Sequence, residues 1–242
     1  MNKTSSAVPS LAHSRPPAWI GWLLIASALL SLAPVVVLGP AIGWPGSLDL
    51  PAAEQLSRVH EKAGAVTLGY GLYLLYSLLV APAIIALTWR VFGGLERPLA
   101  ATIAAFAALS ALARSIGILR WLTVMPGLAA AWAAGDAGTR ESLELLFVVT
   151  NAYGGGIGET LGVSLLMAIA IGVLGVGALV HRVLPRSLGL GAILVALLLA
   201  GLSMPTFGLP DVVPAAGAVT VLSVWMVAVG VWTMRRQAAP AP

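Results

Sequence analysis

Cysteine is absent from the 242 residues, and that one absence excludes disulfides, thiolate metal sites, cysteine nucleophiles and palmitoylation. Charge is scarce too: Asp, Glu, Lys and Arg make up 9% of the chain, against roughly 25% in an average soluble domain. Lysine is nearly missing, with Lys3 and Lys62 beside eleven arginines. Histidine occurs three times, as His13, His60 and His181. No two of them fall within apolar runs at one depth, which removes a bis-histidine haem. Zinc-protease, serine-hydrolase and phosphate-loop motifs are missing as well, and the glycine run from Gly154 to Gly158 has no strand before it and no lysine after it. The expectation is therefore no cofactor, no metal and no enzyme, because no intramembrane His or Asp and no nucleophile–base pair is available.

What the chain has in quantity is apolar sequence, 59% of its residues. Runs free of Asp, Glu, Lys and Arg extend from Pro16 to Leu48, Ala63 to Trp89, Thr160 to Val180, Ser187 to Pro210 and Val212 to Met234. Each reaches the roughly 18 residues of a spanning helix. A further run carries Arg114 and Arg120. The fold class expected is all-α: a polytopic bundle of about six spans, with short interfacial helices on its outer side. The spans are Trp19–Leu38, Ala65–Trp89, Leu99–Met125, Gly158–Val180, Leu188–Met204 and Pro214–Met234, set in a membrane domain over 17–236 between tails at 1–16 and 237–242. No internal repeat is evident. The first run is too long for a signal-peptide core and lacks a clear cleavage site, so it reads as a retained helix.

Charge placement sets orientation. With the N-terminus inside, the inner segments hold eight Lys and Arg against one acid, Glu96, while the outer segments hold three against seven acids. Short loops rich in Lys and Arg stay cytoplasmic, so both termini are expected inside. Trp19, Trp22, Trp89 and Trp232 fall at inner ends and Trp44 and Trp132 near outer loops, as aromatic belts do; Trp225 has no such explanation. The pI near 10 does not point to nucleic acid, since the basic residues sit in short loops beside apolar runs. Membrane lipids are the expected neighbours, with a homo-oligomer or a second membrane protein as further partners, in a bacterial cytoplasmic membrane.

The stretch after Pro51 has helical spacing and mixed polarity, which predicts a short interfacial helix. Arg140 to Tyr153 also reads as helical. One straight helix from Ser142 to Val180 would run about 58 Å, nearly twice the hydrocarbon thickness, so a break is predicted at Gly154–Gly156.

Ionisable residues inside spans are candidate sites because each costs several kcal/mol at the bilayer centre. Arg114 lies seventeen residues after the inner Arg97, and Arg120 twenty-three after it; Glu159 lies twenty-three before the inner Arg182. At 1.5 Å per residue Arg120 and Glu159 both stand about 35 Å above their inner anchors. Equal depth on successive antiparallel spans predicts an ion pair, with Arg114 one to two turns deeper facing the same interior. Tyr70, Tyr73 and Tyr76, at three-residue spacing, and Tyr153 fall on the outer half. The candidate ligand-binding set is Arg114, Arg120, Glu159, Tyr70, Tyr73, Asn151 and Tyr153; a structural staple and ordinary interfacial anchoring are the alternatives. Gly154, Gly158 and Gly162 form a small-residue ladder for close helix packing.

The segment NAYGGGIGETLG (Asn151 to Gly162) resembles one found in the bacterial membrane family known as domain of unknown function 4386. The arginine-bearing ARSIGILR (Ala113 to Arg120), the acidic helix before the glycines and the turn LPRSLG (Leu184 to Gly189) are similar to that family as well. The resemblance covers Ala63 to Ser203 and implies a six-helix membrane module, with no activity, cofactor or substrate. Three functions are weighed: binding or transport of a small or lipid-like anion through an outer polar pocket, a structural or regulatory role beside another membrane component, and, with the thinnest polar inventory behind it, a membrane-embedded enzyme.

Overall fold

The structure, a computed structural model, describes residues 18–238, with side chains as far as 235. The expected tails lie outside the described residues, except that the last helix continues to Ala238. Every regular element among the described residues is helical, as hydrocarbon demands of a segment that must satisfy its own backbone N–H and C=O groups.

Helices α1 (Ala18–Leu30) and α2 (Ala33–Ile42) make the first apolar run. Pro34 has no N–H to offer the carbonyl one turn earlier, and regular helix lapses at Ser31 and Leu32. Beside this lapse Ser31 Oγ donates to Ala28 O at 2.6 Å and lies 2.8 Å from Ser223 Oγ of α10. Beyond α2, α3 (Ala52–Glu61) turns Gln55, Leu56 and Val59 inward, in the place where a short amphipathic helix is predicted. Helix α4 (Ala63–Phe92) has 30 residues, about 45 Å of length, more than the hydrocarbon thickness of roughly 30 Å. Helices α5 (Pro98–Thr123) and α6 (Met125–Ala134) follow, then α7 (Ala137–Gly155). Asp136 caps α7 by accepting from the Thr139 backbone N–H at 2.9 Å. That bond, then the Thr139 side chain, holds the Asp136 carboxyl below the usual carboxylate range.

The break predicted at Gly154–Gly156 is not there. The chain stays helical from Ala137 to His181; what changes at Gly156 is hydrogen-bond register, from α to π, through Leu166. Ser164 Oγ donates to Glu159 O, five residues back, at 3.0 Å, a side-chain bond at the π spacing. Contact with α5, described below, holds these glycines in helix although their intrinsic preference is poor. The length argument is met by protrusion, since 45 residues reach well beyond the hydrocarbon. Helix α8 (Met167–His181) continues the run, followed by α9 (Arg186–Gly201) and α10 (Ala215–Ala238).

Among the described residues, five helical runs are long and apolar enough to cross a membrane: Ala18–Ile42, Ala63–Phe92, Pro98–Ala134, Ala137–His181 and Ala215–Arg235. The span expected at Leu188–Met204 is α9, of 16 residues, about 24 Å long and at the short limit for spanning. Two cores organise the bundle. The larger joins α1, α4, α5, α8, α9 and α10 around Ile84, Leu87, Ile103, Ile171 and Met226. The smaller gathers α2, α3, α6 and α7 against the first turns of α4 and the last turns of α5, around Leu38, Leu56, Trp121 and Phe147. Trp225, unexplained by an interfacial belt, is buried, and its Nε1 donates to Leu188 O at 2.9 Å, tying α10 to α9.

Candidate functional site

Close backbone contact builds the site. A Cβ on Gly117 of α5 would stand 2.5 Å from Gly158 Cα and 2.8 Å from Gly154 O, so only glycine lets the two helices meet there. One turn along, a Cβ on Gly162 would stand 2.8 Å from Arg114 Cγ, and Ser110 Oγ donates to Gly162 O at 2.8 Å. The ladder Gly154, Gly158 and Gly162 thus receives α5 of the same chain, and the arginines of α5 lie along it. The Arg120 side chain fills the space that a side chain on Gly154 would take.

Arg120 is 8% exposed. Its Nη1 donates to Gly117 O at 2.6 Å, its Nε to Asn151 Oδ1 at 3.1 Å and its Nη2 to Glu159 Oε1 at 3.4 Å. The ion pair expected from equal depth is therefore present, though unequal: the Glu159 side chain is 59% exposed. The Arg120 guanidinium also lies 5.7 Å from the Trp121 ring centre. Trp121 in turn stacks on Tyr70, 4.6 Å between centroids and 4° from parallel.

Arg114 sits six residues earlier on α5 and is 3% exposed. Its guanidinium carbon lies 4.6 Å from the Tyr76 ring centre and 5.9 Å from that of Tyr73. Its Nε has no hydrogen-bond partner among the described residues. All nine acidic residues fall within 49–211, inside the described region, and the ion pairs there are Arg58–Glu54 and Arg120–Glu159. No carboxylate side chain neutralises Arg114.

The structure thus gathers Arg114, Arg120, Glu159, Asn151, Tyr70 and Tyr73 on α4, α5, α7 and the π segment. Tyr153 stays apart, 74% exposed. Sequence reasoning grouped Tyr76 with the outer-half tyrosines but kept it out of the ligand-binding set, and it left Trp121 and Gly117 out altogether. Depth counting could have found Tyr76, which lies fourteen residues before Arg90, about 21 Å up its helix and near the level of Arg114. Nothing in the sequence marks Gly117 as the glycine that meets Gly158. The cluster brings together two buried guanidinium groups, the aromatic rings of Tyr70, Tyr73, Tyr76 and Trp121, and one exposed carboxylate.

No curated protein and no solved structure matches the chain. A family model does, under the description domain of unknown function (DUF4386), over residues 19–234. That range takes in both cores and the whole arginine cluster, and the chain belongs to the DUF4386 family.

Proposed function

We propose that this chain is a six-span protein of the bacterial cytoplasmic membrane, termini inside, that binds a small or lipid-like anion at the outward cluster of Arg114, Arg120 and the tyrosines. In this reading α9 is the sixth span, and binding, not catalysis, is the task. One observation carries it: Arg114 is buried and without a carboxylate. Desolvating such a cation costs several kcal/mol. A cation–π contact returns about 2 kcal/mol or more when desolvated, and Tyr76 and Tyr73 both face the guanidinium, but neither partners the buried Nε. An anion beside Nε would supply that partner.

The test is thermal unfolding of the purified chain in a neutral detergent with and without decanoate, a single-chain carboxylate. Decanoate raises Tm of the wild type and leaves Arg114→Gln unmoved. An Arg114→Met variant that loses stability yet responds to decanoate as wild type does would show a structural cation instead. A second reading, a regulatory partner protein, has one observation in its favour. Helix α7 exposes Leu145, Leu146, Val148 and Val149 on a stretch that, counted from Arg182, lies beyond the hydrocarbon. Light scattering that finds an oligomer dissociated by Val149→Lys would favour that reading.

A further inference from the structure

A second basic site lies at the opposite end of the bundle, where α4 and α8 end and α5 begins. Two cavities open side by side there, of about 230 Å³ and about 480 Å³, and Arg90, Val91 and Val183 line both. Arg182 enters the first, and Arg97 and His181 the second. No Asp or Glu lines either one. Arg90, Arg97 and Arg182 form no ion pair among the described residues. The undescribed ends, 1–17 and 239–242, contain no Asp or Glu that could serve. Glu96, the acid of the α4–α5 loop, is folded against Gly94.

Arg182 adds an independent sign. It caps α8 in the left-handed region, φ 53° and ψ 36°, a position that glycine normally takes because a Cβ there meets the neighbouring carbonyl. A glycine would close α8 with less strain, so the arginine side chain is carried against a backbone cost. The helix ends do not reverse the local charge. Two C-termini contribute roughly half a negative charge each and the α5 N-terminus half a positive one, against three full positive charges on the arginines.

Apolar and polar walls meet in these cavities. Leu87, Val91, Leu99 and Trp232 stand beside the guanidinium groups, a lining that fits a phosphate with a hydrocarbon chain attached. We propose that this cavity pair binds a phosphate monoanion or diester through Arg90, Arg97 and Arg182, the headgroup phosphate of an anionic lipid being the form its apolar walls favour. This site is separate from Arg114 and does not rest on the proposal made for it.

The experiment is native mass spectrometry and thermal unfolding of the full purified chain with three probes: phosphatidylglycerol, phosphatidylcholine and inorganic phosphate. Arg182→Gly and Arg90→Gln are compared with wild type and with Arg114→Gln. Phosphatidylglycerol is expected to bind at least tenfold more tightly than phosphatidylcholine and to raise Tm. Both gains fall at least fivefold in Arg182→Gly and Arg90→Gln and persist in Arg114→Gln. Arg182→Gly relaxes the cap, so without lipid its Tm should equal or exceed that of wild type, which separates lost binding from lost folding. Equal stabilisation by inorganic phosphate, competing with the lipid, would assign the site to soluble phosphate. Equal binding of the two lipids, or undiminished phosphatidylglycerol binding in Arg182→Gly and Arg90→Gln, would overturn the proposal.

Discussion

Arg120 and Glu159 are unequal partners, and substitutions should reveal it. Arg120 is buried with three acceptors, so Arg120→Gln should cost about 2–3 kcal/mol, the range for buried hydrogen bonds to a charged group. Glu159 is largely exposed, and Glu159→Gln should cost under about 1 kcal/mol. Equal pairing at one depth would predict that exchanging the two residues recovers part of the loss. The structure predicts the opposite, because a carboxylate at position 120 would face the Gly117 carbonyl that now accepts from Nη1. Chemical denaturation of the single and double variants checks the ranking. Asp136 carries a separate prediction. Its folded carboxyl titrates below the ordinary value, so its contribution is present above the unfolded value of about 3.9 and is lost as pH falls through the folded one. Asp136→Ala should therefore lower Tm at pH 7 and lose that effect in acid, whereas Asp136→Asn keeps most of the cap. Counting residues from Arg97 and Arg182 was enough to pair Arg120 with Glu159. It could not say which partner is buried, since rotation about a helix depends on the facing helix, and here that is set by Gly117 against Gly158.

At the scale of elements, the long apolar runs are legible in the sequence because charge is so rare that each charged residue marks a boundary. The π segment is not legible. Glycine's weak helix propensity predicts a break at Gly154–Gly156, but propensity differences of about 1 kcal/mol per residue yield to a tight interface. That interface makes Gly117→Ala the sharpest test. The added methyl would overlap the Gly158 backbone, which cannot swing aside as a side chain would, and overpacking of this kind costs about 1–3 kcal/mol. Gly71→Ala, where the new Cβ meets nothing within 4 Å, is the control and should leave Tm unchanged or slightly raised. Ser164→Ala removes the hydroxyl bond to Glu159 O and should cost about 1 kcal/mol, with loss of protection at the amides of the π segment in hydrogen exchange.

At the scale of the molecule, the described residues are all-helical, with five runs able to cross a membrane and a sixth apolar helix at the short limit, built around one larger core and one smaller core at the Arg120 end. Its two basic sites lie at opposite ends of the bundle, and the proposed function depends on which side each faces. The absence of cysteine makes this directly measurable, because one introduced thiol is the only thiol in the chain. Glu96 and Gly138 are both exposed, and the run Pro98–Ala134 separates them. In intact cells a membrane-impermeant maleimide should label Gly138→Cys at once and Glu96→Cys only after permeabilisation. Labelling of both from outside would mean that Pro98–Ala134 does not cross the membrane. Labelling of Glu96→Cys alone would turn the Arg114 and Arg120 cluster toward the cytoplasm and contradict the outward anion site.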